Sequence, residues 1–250
     1  MHDAQPSPPT NRLRLLRWIA LGFVTLAAIY VVVAYVILPA GWMRYARRHP
    51  ALDDIPTITK THNDIPGDPI NVALIGTEMA LKKIMLAAKW YPADPLTLQS
   101  CLEIAEATVL KRPYDDAPVS NLYLFGRKQD LAFEKPVGDN PRQRHHVRFW
   151  RSTVTAEDGH PVWVGSVTFD ERVGLSHTTG QITHHIAPDI DTERDPLLRD
   201  LRGTSDLAET FSVADFQKTC EGKNGGGDPW RTDGELEAGV IKAADPKSNP

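Results

Sequence analysis

The stretch HHVRFWRSTVTAEDGHPVWVGSVTFD, residues 145–170, decides how the rest of the chain reads. Two runs rich in Val, Phe, Trp and Thr flank TAEDGHP, which carries Gly159 and Pro161, so the segment predicts two antiparallel strands joined as a hairpin. Successive side chains of a strand point to opposite faces of the sheet. His145 therefore travels with Val147 and Phe149, and His146 with Arg148 and Trp150. Taking apolar company as the mark of the core, His145 faces inward, while His146 and Arg148 line a polar face.

The same reasoning extends outward. GQITHHIA, residues 180–187, reads as a further strand in which His184 shares a face with Ile182 and Ile186, and His185 with Thr183. His184 is then expected inward, and His185 beside His146 and Arg148. Upstream, INVALIGT (70–77) reads as a strand ending in a Gly-Thr turn, with Thr77 placed to cap the helix EMALKKIMLAAKW (78–90). Asp94-Pro95 opens a second helix, LTLQSCLEIAEATVLK (96–111), with proline where the missing N–H costs nothing. NLYLFGR (121–127) reads as a strand, Asp191 as the cap of a helix through TERDPLLRDLR, and GELEAGVI (234–241) as a last strand. An early helical pair followed by clustered strands predicts an α+β domain with a mainly antiparallel sheet and a few helices.

That domain is expected to follow a membrane anchor. Trp18 to Leu38 is 21 residues without a charge; as a helix it spans about 31 Å, close to the hydrocarbon core of roughly 30 Å. Arg12, Arg14 and Arg17 precede it and Arg44, Arg47 and Arg48 follow, with Trp18, Tyr35, Trp42 and Tyr45 as interfacial aromatics. A cleavable signal peptide has an apolar core of about 7–15 residues and a small-x-small cleavage site. This run is longer, and VILPAGW ends it without such a site. The reading is a retained single-span anchor. Three arginines on each side nearly balance the orientation, and the short leader inclines it towards an extracytoplasmic domain. Residues 1–17 are expected as a basic tail, with disorder in the proline-rich beginning, 39–64 as a linker, 65–242 as one domain and 243–250 as a disordered tail.

Composition narrows the partners. The 250 residues are 41% hydrophobic and 24% charged, ordinary for a folded protein. The net charge of −4 gives no general attraction to nucleic acid; the arginines and aromatics between Arg142 and Arg151 have the composition of a base-stacking surface, but with the acidity and the anchor no nucleic-acid partner is expected. Cys101 and Cys220 match no metal or redox spacing, and Cys101 sits in an apolar helical pattern.

Paired imidazoles, arginines and carboxylates are the materials of metal sites and phosphoester chemistry. On that reading His146 and His185 are acid/base groups or ligands of a divalent metal, Arg148 clamps an anion and Asp189 is the orienting carboxylate. A polar sheet face of hydrogen-bonded histidines has the same composition, and PDIDTERD leads into a helix whose N-terminus favours acids, so both readings stand. GKNGGGDP (222–229) offers the backbone of Gly225, Gly226 and Gly227 as an anion cradle, although it lacks the lysine-Ser/Thr pair of a P-loop, which favours a mobile loop. GLSHT (174–178) lacks the last glycine of a nucleophile elbow.

The segments NVALIGT, WYPADPLTL, YLFGRKQDLAFEKPVG, RHHVRFW, WVGSVTFD and QITHHIAPDIDTERD together resemble the LssY C-terminal-like domain family of bacteria, from about residue 70 to about residue 235. The resemblance implies work on membrane lipid or envelope, because such domains look like ones appended to type 2 phosphatidic acid phosphatases and DedA-like membrane proteins. It supplies no catalytic residues. The phosphatase element S-R-x5-H-x3-D is not met: Ser176, His185 and Asp189 are present, but His177 stands in place of the arginine and the serine-histidine interval is too long. The expected protein is a single-pass component of the bacterial cell membrane whose domain binds or hydrolyses an anionic, phosphorylated envelope substrate. The alternative is a non-catalytic module that tethers a partner, such as another membrane protein, at the membrane. Whether it is an enzyme is left open.

Overall fold

The computed structural model describes residues 11–38, 52, 55–93, 121–137, 144–156, 159–178, 180 and 182–242. The expected tail 243–250, the proline-rich start, the helix 96–111 and most of residues 39–54 lie outside the described residues. The chain falls into two compact units, residues 1–49 and 50–250.

The first unit carries α1 (Asn11–Val32), which continues into a π-helical turn at Val33–Ile37. Residues 11–17, expected as tail, are part of this helix, since NRLRLLR contains nothing that breaks one. The 24 residues Arg14–Ile37 are long and apolar enough to cross a membrane, and none of that window is buried in the protein.

The second unit is α+β. Its main sheet has eight strands: in order β11 (Leu207–Val213), β14 (Leu236–Ile241), β3 (Val72–Ile75), β9 (Pro161–Leu175), β8 (Arg144–Thr155), β7 (Leu131–Pro136) and β4 (Tyr91–Pro92), with β10 (Ile182–Ile186) also on β9. All neighbours are antiparallel except β14 and β3. The β8–β9 hairpin expected from residues 145–170 forms its centre. Alternation then builds two cores, one on each face. Val72, Leu74, Val147, Phe149, Trp163 and Val167 pack with Leu81, Ile84 and Met85 of α2 (Glu78–Ala87) and with Leu197, Leu198 and Leu201 of α3 (Asp191–Gly203). Ala73, Ile75, Trp150, Val162 and Val164 pack on the opposite side with Leu52, Ile55, Leu122 and Leu124. The last two come from, or lie beside, a four-stranded sheet ordered β2 (Pro66–Pro69), β1 (Ile58–Lys60), β5 (Tyr123–Leu124) and β6 (Arg127–Lys128).

Three expectations need correcting. Leu52 and Ile55 are 2% and 4% exposed and β1 spans Ile58–Lys60, so this part of the presumed linker belongs to the fold. NLYLFGR is a hairpin rather than one strand, because Phe125 and Gly126 both take positive φ, 52° and 72°, as a two-residue primed turn requires. The N-cap of α3 is Ile190, without a side-chain cap; Asp191 is the first helical residue and accepts instead from Thr232 Oγ1. Thr77 caps α2 as expected, accepting from Ala80 N at 3.2 Å.

One gap in the main sheet positions the site. β3 pairs with β9 at residues 162–165, and β10 takes the same edge from Asp170 onwards. Between them the edge of β9 meets the buried Asn71 side chain, which accepts from Val167 N and donates to Val167 O and Ile190 O. Asn71 thereby ties the end of β2 to β9 and to the start of α3.

Candidate functional site

The register of β8 on β9 pairs Arg144 with Asp170, His146 with Thr168, and Arg148 with Ser166. These residues share the face opposite α2 and α3, as the alternation of β8 predicts for His146 and Arg148. They do not border open solvent: His146 is 2%, Arg148 6%, Ser166 0%, Thr168 1% and Asp170 4% exposed. The site is a buried polar seam between the sheet and the segments laid over it.

Asp170 organises one end of the seam. Its Oδ2 lies 3.1 Å from His146 Nε2 and 2.6 Å from His184 Nδ1, and the two rings meet edge to face at 6.3 Å. Burial alone would raise the carboxyl, but the charge and hydrogen bond of His146 and those of His184 hold it well below the usual carboxylate range. His184, expected inward, is therefore a partner of His146. On β10, His184 keeps step with Ile186, which sits opposite Asp170 and packs with Ile190 and Trp230 rather than in either core of the main sheet, so its apolar company did not mark the helix side.

His185 takes a different carboxylate. Its Nδ1 is 2.6 Å from Asp228 Oδ1, in the loop between β12 (Glu221–Lys223) and β13 (Pro229–Arg231). This is the glycine-rich segment. Gly226 N and Asp228 N both donate to Asn224 Oδ1, and Gly227 N donates to Asn224 O, so Gly226 and Gly227 have no backbone donors left to cradle an anion. The loop's work is to hold Asp228. His177 approaches from the turn after β9, its ring 5.2 Å from that of His185, and donor atoms of His177, His185 and Asp228 lie within 4.8 Å of one another.

Asp68 of β2 joins the two halves. Arg148 Nη1 is 3.6 Å from its Oδ2, and Asn224 Nδ2 donates to its Oδ1 at 3.0 Å. Burial pushes the Asp68 carboxyl up, with Asp170 and Asp228 adding to the effect and Arg148 and Asn224 opposing it. Asp189 has no part in this. It pairs with Arg231 at 3.1 Å, and the carboxylates that meet the histidines are Asp170 and Asp228. His145, on the other face as expected, meets Glu193 of α3 and the rings of Trp90 and Phe169.

The middle of the seam is short of partners. Arg148 Nε, Trp150 Nε1, Ser166 Oγ and Thr168 Oγ1 are buried, and none finds a hydrogen-bond partner among the described residues. An unsatisfied buried polar group costs about 1–3 kcal/mol. Four of them together cost of the order of the whole stability of a domain, roughly 5–15 kcal/mol. A set this concentrated needs an occupant that bonds to it, either water or a ligand. Arg148 and Trp150 can only donate, and Ser166 and Thr168 can do either, so the set suits an acceptor.

Of the residues nominated from sequence, His146 and Arg148 share the seam, His185 stands beside it and Asp189 is elsewhere. Asp68, Asp170, His177 and Asp228 were missed, and His184 was expected in the core rather than on Asp170. Only Asp170 had a local signal, the alternation of Ser166, Thr168 and Asp170 against Val167 and Phe169. A family profile described as LssY C-terminus matches residues 52–236, most of the chain. Neither the curated proteins nor the solved structures contain a significant match.

Proposed function

The chain belongs to the LssY C-terminus family, and from that premise we propose that its folded unit binds an anionic, phosphate-type group of an envelope or lipid-related substrate in the seam between β8 and β9. The observation that carries this reading is the set Arg148 Nε, Trp150 Nε1, Ser166 Oγ and Thr168 Oγ1, buried with no hydrogen-bond partner among the described residues. Charge supports it. Asp170 and Asp228 each have imidazole partners, whereas Asp68, pushed towards its neutral form, is a poor counter-ion for Arg148. An anion would complete that guanidinium.

In the hydrolytic form of this reading, His146 is the acid/base group and Asp170 orients it, with His184 on the same carboxylate. A water oxygen bonds to phosphorus while its proton passes to His146. The P–O bond to the leaving group breaks, and the leaving oxygen takes that proton. The apolar helix serves as a retained single-pass anchor in the bacterial cell membrane, with the folded unit on the extracytoplasmic side, within reach of lipid and envelope substrates.

A second reading, a non-catalytic interaction module for a membrane partner, is favoured by a groove of about 390 Å3 lined by Ile58, Lys60, His62, Tyr123 and Phe125 on the small sheet. In that case water satisfies the seam and its histidines are framework.

Thermal unfolding of the full chain in detergent, with and without inorganic phosphate or glycerol phosphate, separates the two. Anion binding raises the midpoint with the logarithm of ligand concentration, and about 100 times Kd adds roughly 2.7 kcal/mol. Arg148→Met should abolish the rise. An unchanged midpoint at high phosphate, or a rise that survives Arg148→Met, refutes the seam as the binding site. Phosphate release from a monoester, lost in His146→Asn while binding persists, selects the hydrolytic form.

A further inference from the structure

We infer that His177, His185 and Asp228 form a site for a divalent first-row transition metal at the Asp228 end of the seam, with ligands that do not include Arg148 or the donors between β8 and β9. Donor atoms of the three lie within 4.8 Å of one another. Two imidazoles and a carboxylate are a borderline donor set that suits zinc and its neighbours rather than calcium or magnesium. His185 and Asp228 are 2% and 4% exposed, whereas His177 is exposed, so the cluster has a buried floor and an open side facing solvent. A buried floor with one open side is the arrangement of three protein ligands plus a displaceable water.

Two further observations bear on the site. His185 Nδ1 faces Asp228 Oδ1 at 2.6 Å, so a metal held by both residues takes the place of that hydrogen bond. The backbone has also been cleared around the rings. A Cβ on Gly174 would lie 2.7 Å from His185 Nε2, and one on Gly227, whose φ is +87°, would lie 2.8 Å from His177 Cβ. Only glycine lets β9 and the loop come this close to the two histidines.

The surroundings hold the donors in place. Gly226 O accepts from His177 N at 2.8 Å and from Ser176 Oγ at 3.4 Å, which fastens the His177 turn to the loop that carries Asp228. Asn224 in turn fixes that loop from inside. Such outer bonds are the usual means of orienting ligands around a metal.

The test is a titration of untagged full-length chain in detergent, stripped with chelator, with zinc or cobalt(II) at neutral pH. About one metal should bind per chain at micromolar concentration or below, with the absorption of an imidazole-ligated low-symmetry cobalt site. Asp228→Asn and His177→Ala should each weaken binding at least ~100-fold, beyond the ~10–100-fold typical of outer partners. His62→Ala, an exposed histidine elsewhere, should not. His177 is exposed, so His177→Ala leaves the fold intact and decides the matter even if Asp228→Asn unfolds. No binding up to millimolar metal, or binding unchanged in His177→Ala, overturns the site.

Discussion

Two buried carboxylates in the seam carry opposite signs. Asp170 is held low by His146 and His184, so its stabilising contribution is whole above the ordinary carboxylate value of about 3.9 and is lost as the pH falls through its depressed folded value. Asp68 is pushed up by burial, so folding is penalised at neutral pH and relieved on acidification towards the ordinary value. Asp170→Asn should therefore cost on the order of 3–5 kcal/mol at neutral pH and flatten the acid limb of the stability profile. Asp68→Asn should leave stability at neutral pH equal or higher. Urea unfolding of both variants from about pH 3 to about pH 8, a span that brackets the ordinary carboxylate values of about 4, checks the signs, and equal losses would contradict them. The polar faces of β8 and β9 were open to sequence reasoning, because alternation is local. Asp68 and Asp228 were not, since they arrive from segments whose contacts across the fold leave no periodic trace.

At the level of elements, the central hairpin and its face assignment followed from patterning, and the failures came where local pattern reports neither long-range packing nor a tight turn. Ile186 lies in a separate cluster with Ile190 and Trp230 on the Asp170 side, so apolar company misplaced His184, and the Phe125-Gly126 turn divides one apparent strand into β5 and β6. Glycines test these elements separately. A Cβ at Gly165 would lie 2.8 Å from the Phe149 ring and 2.9 Å from Val72 Cγ1, inside the helix-side core. Gly165→Ala should cost about 1–3 kcal/mol or more through overpacking. Gly126, at φ +72° with open space around its Cβ position, faces only the backbone penalty of about 1 kcal/mol. Thermal melts should rank Gly165→Ala as the more damaging, and the reverse order would mean that β9 does not pack against Phe149 as described.

For the molecule as a whole, the apolar helix of Trp18–Leu38 was legible because a long uncharged run is written in composition, whereas the start of the folded unit was not, because Leu52, Ile55 and the three residues of β1 carry too short a signal. A soluble fragment beginning at Pro50 should unfold cooperatively, and one beginning at Ile65 should not, since it loses β1 and two core residues; equal cooperativity would return residues 50–64 to a linker. If the helix is a retained anchor, the full chain should stay with the membrane through carbonate washing, and a mature N-terminus near Gly41 would identify a signal peptide instead. The central claim is that the buried donors between β8 and β9, which have no hydrogen-bond partner among the described residues, bind an anion. A crystal structure of the full chain soaked in tungstate, a phosphate analogue that scatters anomalously, tests it most directly. The account predicts an anomalous peak within hydrogen-bond distance of Arg148 Nε, Ser166 Oγ and Thr168 Oγ1; those atoms bonded to protein groups, or to water alone at saturating tungstate, would contradict it.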